Sequence, residues 1–246
     1  MQKNFAQADY AATARQAAAE GAVLLRNYRH ALPLEEGCRV AVFGRNQLHY
    51  YRCGIGSGGM VNSAYVVSIL DALKADSDIV LNQAVLSAYE AWHEAHPLEG
   101  CNEWGEEPWS QAEMPLPEAL VQQAAKTSDA ALICIGRTAG EDHDSSAAPG
   151  SFLLTEEEER TIRLVCRYFP RSIVVLNTAG IIDMTWVKRC NPAAILYVWH
   201  GGQEGGNGAA DVLTGRVNPC GKLPDTIAEQ LSDYPANANF GNAERN

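Results

Sequence analysis

Glu141, Asp142, His143 and Asp144 stand in a row, between the glycine-containing approach Gly136-Arg137-Thr138-Ala139-Gly140 and the helix-opening Thr155. Three carboxyls and an imidazole can hold a metal, although adjacent residues rarely converge on one ion without ligands from elsewhere. They can be an ordinary solvated loop. Or one carboxyl can act as a general acid/base, which calls for a loop at a strand end and an environment favouring its protonated form. Neighbouring acids, and desolvation by a partner domain, would both work in that direction for Glu141. Four polar residues do not choose among these readings alone.

Two glycine-rich stretches compete for attention. Gly54-Ile55-Gly56-Ser57-Gly58-Gly59 resembles a phosphate cradle. A dinucleotide fingerprint should run straight from strand into helix, whereas residues 44–53 intervene here, and no Gly-Lys-Ser/Thr follows. A flexible turn, or a loop bringing Ser57 and backbone amides to a ligand, fits as well. Gly201-Gly202-Gln203-Glu204-Gly205-Gly206 follows an apolar run and enters a helix, so its glycines read as tight strand-to-helix packing. A ligand role for Gln203 or Glu204 is the weaker alternative. Glu156–Glu159 are different again: they follow Thr155 and complement a helix N-terminus.

These segments need a scaffold, and the apolar runs supply one. Residues 39–44, 79–81, 130–136, 172–177 and 193–199 read as strands. Helices are expected over 9–29 (with Asp9 as its cap), 64–75, 84–96, 118–126, 155–168, 185–189 and 206–214. Continuous Val/Ile/Leu strands alternating with helices predict a three-layer α/β/α sandwich around a mostly parallel sheet. Ligands of such sheets gather at the carboxyl ends of the strands, where loops 44–63, 136–154 and 199–206 emerge. Residues 97–117, with Trp104 and Trp109, form a long irregular insertion, either a surface loop or an aromatic wall beside a ligand subsite.

The formal net charge of −11 argues against a nucleic-acid or anionic-membrane partner. Seven cysteines, at 38, 53, 101, 134, 166, 190 and 220, form no CxxC or CxxH pair and read as reduced thiols of a cytoplasmic protein. Cys134 and Cys166 fall in apolar runs and read as core residues. The N-terminus carries no apolar signal region, and no run has the length of a membrane span.

Taken in order, EGAVLLRNYRHALPL (20–34), RVAVFG (39–44), the glycines of 54–59, GRTAGEDHD with FLLTEEEE (136–159), and WHGGQEGGNGAADVLTGRVNPCGKLPDT (199–226) resemble one known pattern. It is the α/β sandwich domain of glycoside hydrolase family 3, the β-glucosidases and β-xylosidases. The resemblance covers roughly residues 12–240 and makes 1–246 a single domain. It implies Glu141, within Ala139-Gly140-Glu141-Asp142, as the general acid/base, and Ser57 as a hydrogen-bonding residue to the sugar. The family commonly has Gly where this chain has Asp142, and Asp-Arg where it has Asp144-Ser145.

The family's nucleophile is an aspartate on a (β/α)8 barrel domain, and no Ser-Asp-Trp-type segment occurs here. The resemblance therefore implies one domain of a longer enzyme, with the barrel elsewhere in the same polypeptide; some family members carry it after this domain. It implies a β-linked glucoside or xyloside as substrate, no cofactor and no metal, and no activity in isolation. Two rivals remain at this stage: a non-catalytic carbohydrate-binding or scaffold module, and a nucleotide-binding α/β domain.

Overall fold

The structure is a computed structural model and describes residues 7–56, 59, 63–101, 105–141 and 144–240. Six strands form one sheet: β1 (Val23–Asn27), β2 (Cys38–Phe43), β3 (Ile79–Leu81), β4 (Ala130–Arg137), β5 (Ser172–Thr178) and β6 (Ala194–Tyr197). Their order across the sheet is β1-β6-β5-β4-β2-β3. All pairs are parallel except β1 with β6. Register runs Val40 beside Ala130, Ala131 beside Ser172 and Ile173 beside Ala194. The expected mostly parallel α/β architecture is what forms.

Period-two alternation sorts the strand residues into two layers. Val40, Val42, Leu132, Cys134, Ile173 and Val175 face one side, packing with α1 (Gln7–Gly21), α2 (Ile69–Ala75) and α7 (Gly205–Leu213). Ala41, Phe43, Ile133, Ile135, Val174 and Leu176 face the other. There they meet α3 (Gln83–Ala95), α4 (Glu118–Ala125), α5 (Glu156–Tyr168) and α6 (Trp186–Cys190). Cys134 is core, as expected, while Cys166 is only half-buried against it. All seven cysteines are free thiols. No described helix is long and apolar enough to cross a membrane.

Beyond shifts of one or two residues at other ends, three expectations are not met. The helix expected over 9–29 ends at Gly21, and Val23–Asn27 becomes an edge strand antiparallel to β6. Its apolar Val-Leu-Leu segment serves either periodicity, and pairing with β6 satisfies its backbone. Asp9 lies inside α1 instead of capping it. The helix expected over 64–75 starts only after Ser68, whose side chain accepts from Asp71 N while Asp71 Oδ2 accepts from Ser68 N, a capping box that fixes the start.

The topology singles out one place on the sheet. From β2 the chain crosses through α2 on one face, whereas from β4 it crosses through α5 on the opposite face. Between the carboxyl ends of β2 and β4 the direction of winding reverses. Loops leaving these ends must diverge there and open a crevice.

Candidate active site

The loop after β2 and the loop after β4 meet in that crevice. Ile55 N donates to Ala139 O at 2.5 Å, and Ile55 forms a parallel bridge with Gly140. Glu141, the next residue, is exposed. Gly56 lies directly under it: a Cβ built on Gly56 would stand 2.6 Å from Glu141 Cβ and 3.0 Å from its Oε2. Gly56 also has φ +96°, a backbone region that suits glycine. The two stretches singled out from sequence therefore form one structure, in which the glycine loop is the seat of the Glu141 side chain. Gly56→Ala should leave the fold intact but displace Glu141. By positional sensitivity alone, any turnover that depends on Glu141 should fall by about 10²-fold, and the strain of Ala at this positive φ, about 1–3 kcal/mol, should lower Tm by about 2–12 °C.

Both ends of the 138–154 loop are held by one buried ion pair. Arg137, the last residue of β4, donates from Nη1 and Nη2 to the two Glu158 oxygens at 2.6 and 2.7 Å. It donates further to Ser151 O at 2.8 Å, Gly136 O at 2.7 Å and Leu153 O at 3.1 Å. The side chains are only 3% and 6% exposed, so the charges neutralise each other out of reach of water. Glu158 also accepts from Thr155 N at 2.8 Å while Thr155 Oγ1 accepts from Glu158 N at 3.1 Å, so the acidic run is the structural helix start expected of it.

A second hub, not read from the sequence, pins the loop after β2. Asn177, fully buried at the end of β5, accepts at Oδ1 from Tyr51 N (2.8 Å) and Asn46 Nδ2 (3.1 Å). Its Nδ2 donates to Tyr51 O (3.0 Å) and Trp199 O (2.5 Å). A polar residue closing the apolar run Ser-Ile-Val-Val-Leu-Asn was its only sequence signal. From the other side, Tyr50 Oη accepts from Gly201 N at 2.9 Å, and Gly202 N donates to Arg52 O at 2.9 Å.

The Gln-Glu-Gly-Gly segment packs tightly, though against neighbouring helices and not in the strand-to-helix contact expected of its glycines. A Cβ on Gly206 would run into the carbonyl oxygens of Val67 and Ser68, so glycine lets α7 approach the start of α2. Glu204 is buried, accepting from the Tyr65 hydroxyl and from Asn207 Nδ2 at 2.6 Å. That is a structural role.

The 97–117 insertion forms the far wall. Arg45, just after β2, clamps it: Arg45 N donates to Glu113 Oε2 at 2.7 Å, Nη1 donates to Ala112 O at 3.0 Å, and Nη2 donates to His96 O. The guanidinium lies 4.9 Å over the Trp92 ring. Burial pushes the Glu113 carboxyl up to about 7, against the backbone N–H groups of Arg45 and Met114 that favour its charge. Between the insertion and residues 49–59 is a cavity of about 330 Å³, lined by His49, Tyr51, Gly54, Gly56, Cys101 and Glu107 among others. Trp109 is half-buried, its carbonyl accepting from Thr138 N at 2.9 Å. Ser57, Trp104, Asp142 and His143, all named from sequence, lie outside the described residues.

A sheet of this winding, with a carboxylate loop seated on a glycine loop at the reversal point, defines an α/β domain with an exposed carboxylate at the carboxyl edge of its sheet. The glycine segment lies well before α2 and does not open it, unlike a nucleotide-binding turn. Residues 22–246 match the family described as the glycosyl hydrolase family 3 C-terminal domain. The chain belongs to that family. A β-glucosidase of Ruminococcus albus is 48% identical over 96% of the chain, and β-glucosidase A of Butyrivibrio fibrisolvens is 35% identical over 92%.

Among solved structures, a β-glucosidase of Paenibacillus barengoltzii superposes with a TM-score of 0.91 at 47% identity, over 94% of this chain and 26% of its own. β-Glucosidase 3B of Thermotoga neapolitana in complex with glucose gives 0.84 at 34% identity, over 95% of this chain and 33% of its own. The chain spans only 25% and 29% of the two curated relatives' lengths.

Proposed function

We propose that this chain is the acid/base domain of a retaining β-glycosidase, most simply a β-glucosidase, that removes terminal non-reducing β-linked sugars in carbohydrate metabolism. The observation that carries the proposal is the seating of Glu141 on Gly56 at the winding reversal. It offers a carboxyl, on a loop anchored at both ends, to a substrate entering over the sheet edge. The names of the relatives support a glucoside as substrate; a xyloside is the neighbouring possibility within the family. Ser57 belongs to the same glycine loop and serves as a hydrogen-bonding residue for the sugar.

The chemistry needs a second carboxyl. In retaining hydrolysis the two stand about 5–5.5 Å apart, one attacking the anomeric carbon while the other protonates the departing oxygen. Glu141 then takes the proton of the water that releases the sugar. We assign the nucleophile to an aspartate on a (β/α)8 barrel domain of the same polypeptide, so that residues 1–246 are a single domain of a longer enzyme. No metal or cofactor enters this reaction. The free thiols support a reducing, cytoplasmic setting.

The division of labour has a direct test. The 246-residue chain alone should leave an aryl β-glucoside uncleaved while the complete enzyme turns it over. Turnover by the isolated chain at a rate near that of the complete enzyme would place both carboxyls within it and overturn the two-domain assignment.

A further inference from the structure

The wall of the cavity beside the glycine loop holds a group of side chains that the glycosidase chemistry leaves unused. His49, from the loop after β2, and Cys101 and Glu107, from the insertion, bring one donor atom each to within 4.8 Å of one another. His49 Nε2 donates to Glu107 Oε1 at 2.8 Å, and Cys101 Sγ stands 3.4 Å from the same oxygen. We propose that His49, Cys101 and Glu107 form a binding site for one divalent cation of the zinc class, which ties the insertion to the loop after β2.

The chemistry of the donors fits. Imidazole nitrogen, thiolate sulfur and carboxylate oxygen are the ligand set of borderline-soft Zn²⁺, and three protein ligands with an open fourth position are a standard arrangement. Zinc–ligand bonds of about 2.0–2.3 Å in a tetrahedral site put donors roughly 3.3–3.7 Å apart. The spacings to the Glu107 oxygen, 2.8 and 3.4 Å, need at most a small outward adjustment, while the His49 and Cys101 donors, within 4.8 Å of each other, would close inward on the ion. The cavity of about 330 Å³ that all three line leaves room for the ion and a water.

The donors are also positioned from behind, as ligands usually are. Gln111, itself buried, receives Glu99 N on its Oε1 at 2.9 Å and donates from Nε2 to Glu99 O at 2.8 Å, with the Cys101 sulfur 3.5 Å from the same nitrogen. The Tyr51 ring meets the His49 ring edge-on at 4.8 Å. Without an ion the three groups form a hydrogen-bonded trio. Bound as thiolate, Cys101 releases its proton to solvent as the sulfur–metal bond forms.

The test uses the whole chain, reduced and stripped of metal by a chelator. Zn²⁺ titrated by calorimetry should bind at one equivalent, and Co²⁺ should produce a thiolate-to-metal charge-transfer band in the near ultraviolet. Cys101→Ser should abolish that band, and both it and His49→Ala should weaken Zn²⁺ by at least about 10–100-fold, the loss that even outer-shell changes cause. Cys220→Ser, at an exposed thiol elsewhere, should change nothing. Cys101 is exposed, so its serine variant should fold, and its unfolding midpoint without metal should match the wild type. Absence of binding at millimolar Zn²⁺, or binding and a cobalt band that survive Cys101→Ser, would overturn the site.

Discussion

Glu141→Ala in the complete enzyme should lower kcat on an unactivated β-linked glucoside by about 10²–10⁴-fold, the range that a positioned general acid/base contributes. The size of the loss should depend on the leaving group. A sugar alkoxide leaves only when protonated, so the first step carries the full loss. A good aryl leaving group needs little protonation. With it the glycosyl-enzyme should still form quickly, and the deficit should move to the water step that Glu141 assists as base. The expected signature is a burst of phenol followed by slow turnover. Unfolding of the variant should stay close to wild type, because Glu141 is exposed and its loop is held through Ala139 O and Gly140 against Ile55, which the substitution does not touch. Equal losses on both substrate classes would mean that the residue acts on binding or folding instead.

The largest stability effect should come from Arg137. Arg137→Met removes one member of a buried pair whose side chains are 3% and 6% exposed. It leaves the Glu158 carboxylate without its counter-charge and takes the guanidinium donor from the carbonyls of Gly136, Ser151 and Leu153, the last of which keeps Gly150 N. Breaking such a pair costs about 3–5 kcal/mol, and in a domain of this size each kcal/mol lowers Tm by about 2–4 °C. A fall of about 6–20 °C is expected. The double variant Arg137→Met with Glu158→Leu should regain much of it, since no charge is then stranded. A single variant within about 1 kcal/mol of wild type would show that the 138–154 loop does not depend on this anchor.

These two residues illustrate what the sequence discloses. The strands around them are short continuous apolar runs, legible because a sheet covered on both faces needs no alternation. The Thr155–Glu158 start of α5 is a local capping signal, contained within four residues. Glu141 and the glycines of 54–59 were each visible, and the resemblance joined them, but only the fold shows that Gly56 is the seat of Glu141.

What stayed hidden depends on pairing between distant segments. β1 was absorbed into a helix because Val23-Leu24-Leu25 suits either element until β6 lies beside it. The late start of α2 was missed because Ala64-Tyr65-Val66-Val67 is apolar enough to pass for a first helical turn, whereas Val67 N instead donates to Gln203 O at 2.9 Å. Arg137 gave no sign of its role within its own loop, since its partner lies 21 residues on. Likewise, His49, Cys101 and Glu107 share no spacing that sequence inspection recognises, and meet only because Arg45 folds the insertion back over the loop after β2.

The assignment of Glu141 as the acid/base carboxyl stands or falls with rescue by azide. The complete enzyme carrying Glu141→Ala is given an aryl β-glucoside with a good leaving group, with and without azide. Azide attacks the glycosyl-enzyme without needing a base. Turnover should therefore rise with azide concentration, and the sugar should be recovered as the β-glycosyl azide. A variant that keeps the wild-type rate and yields no glycosyl azide would contradict the account and leave Glu141 an ordinary loop carboxylate.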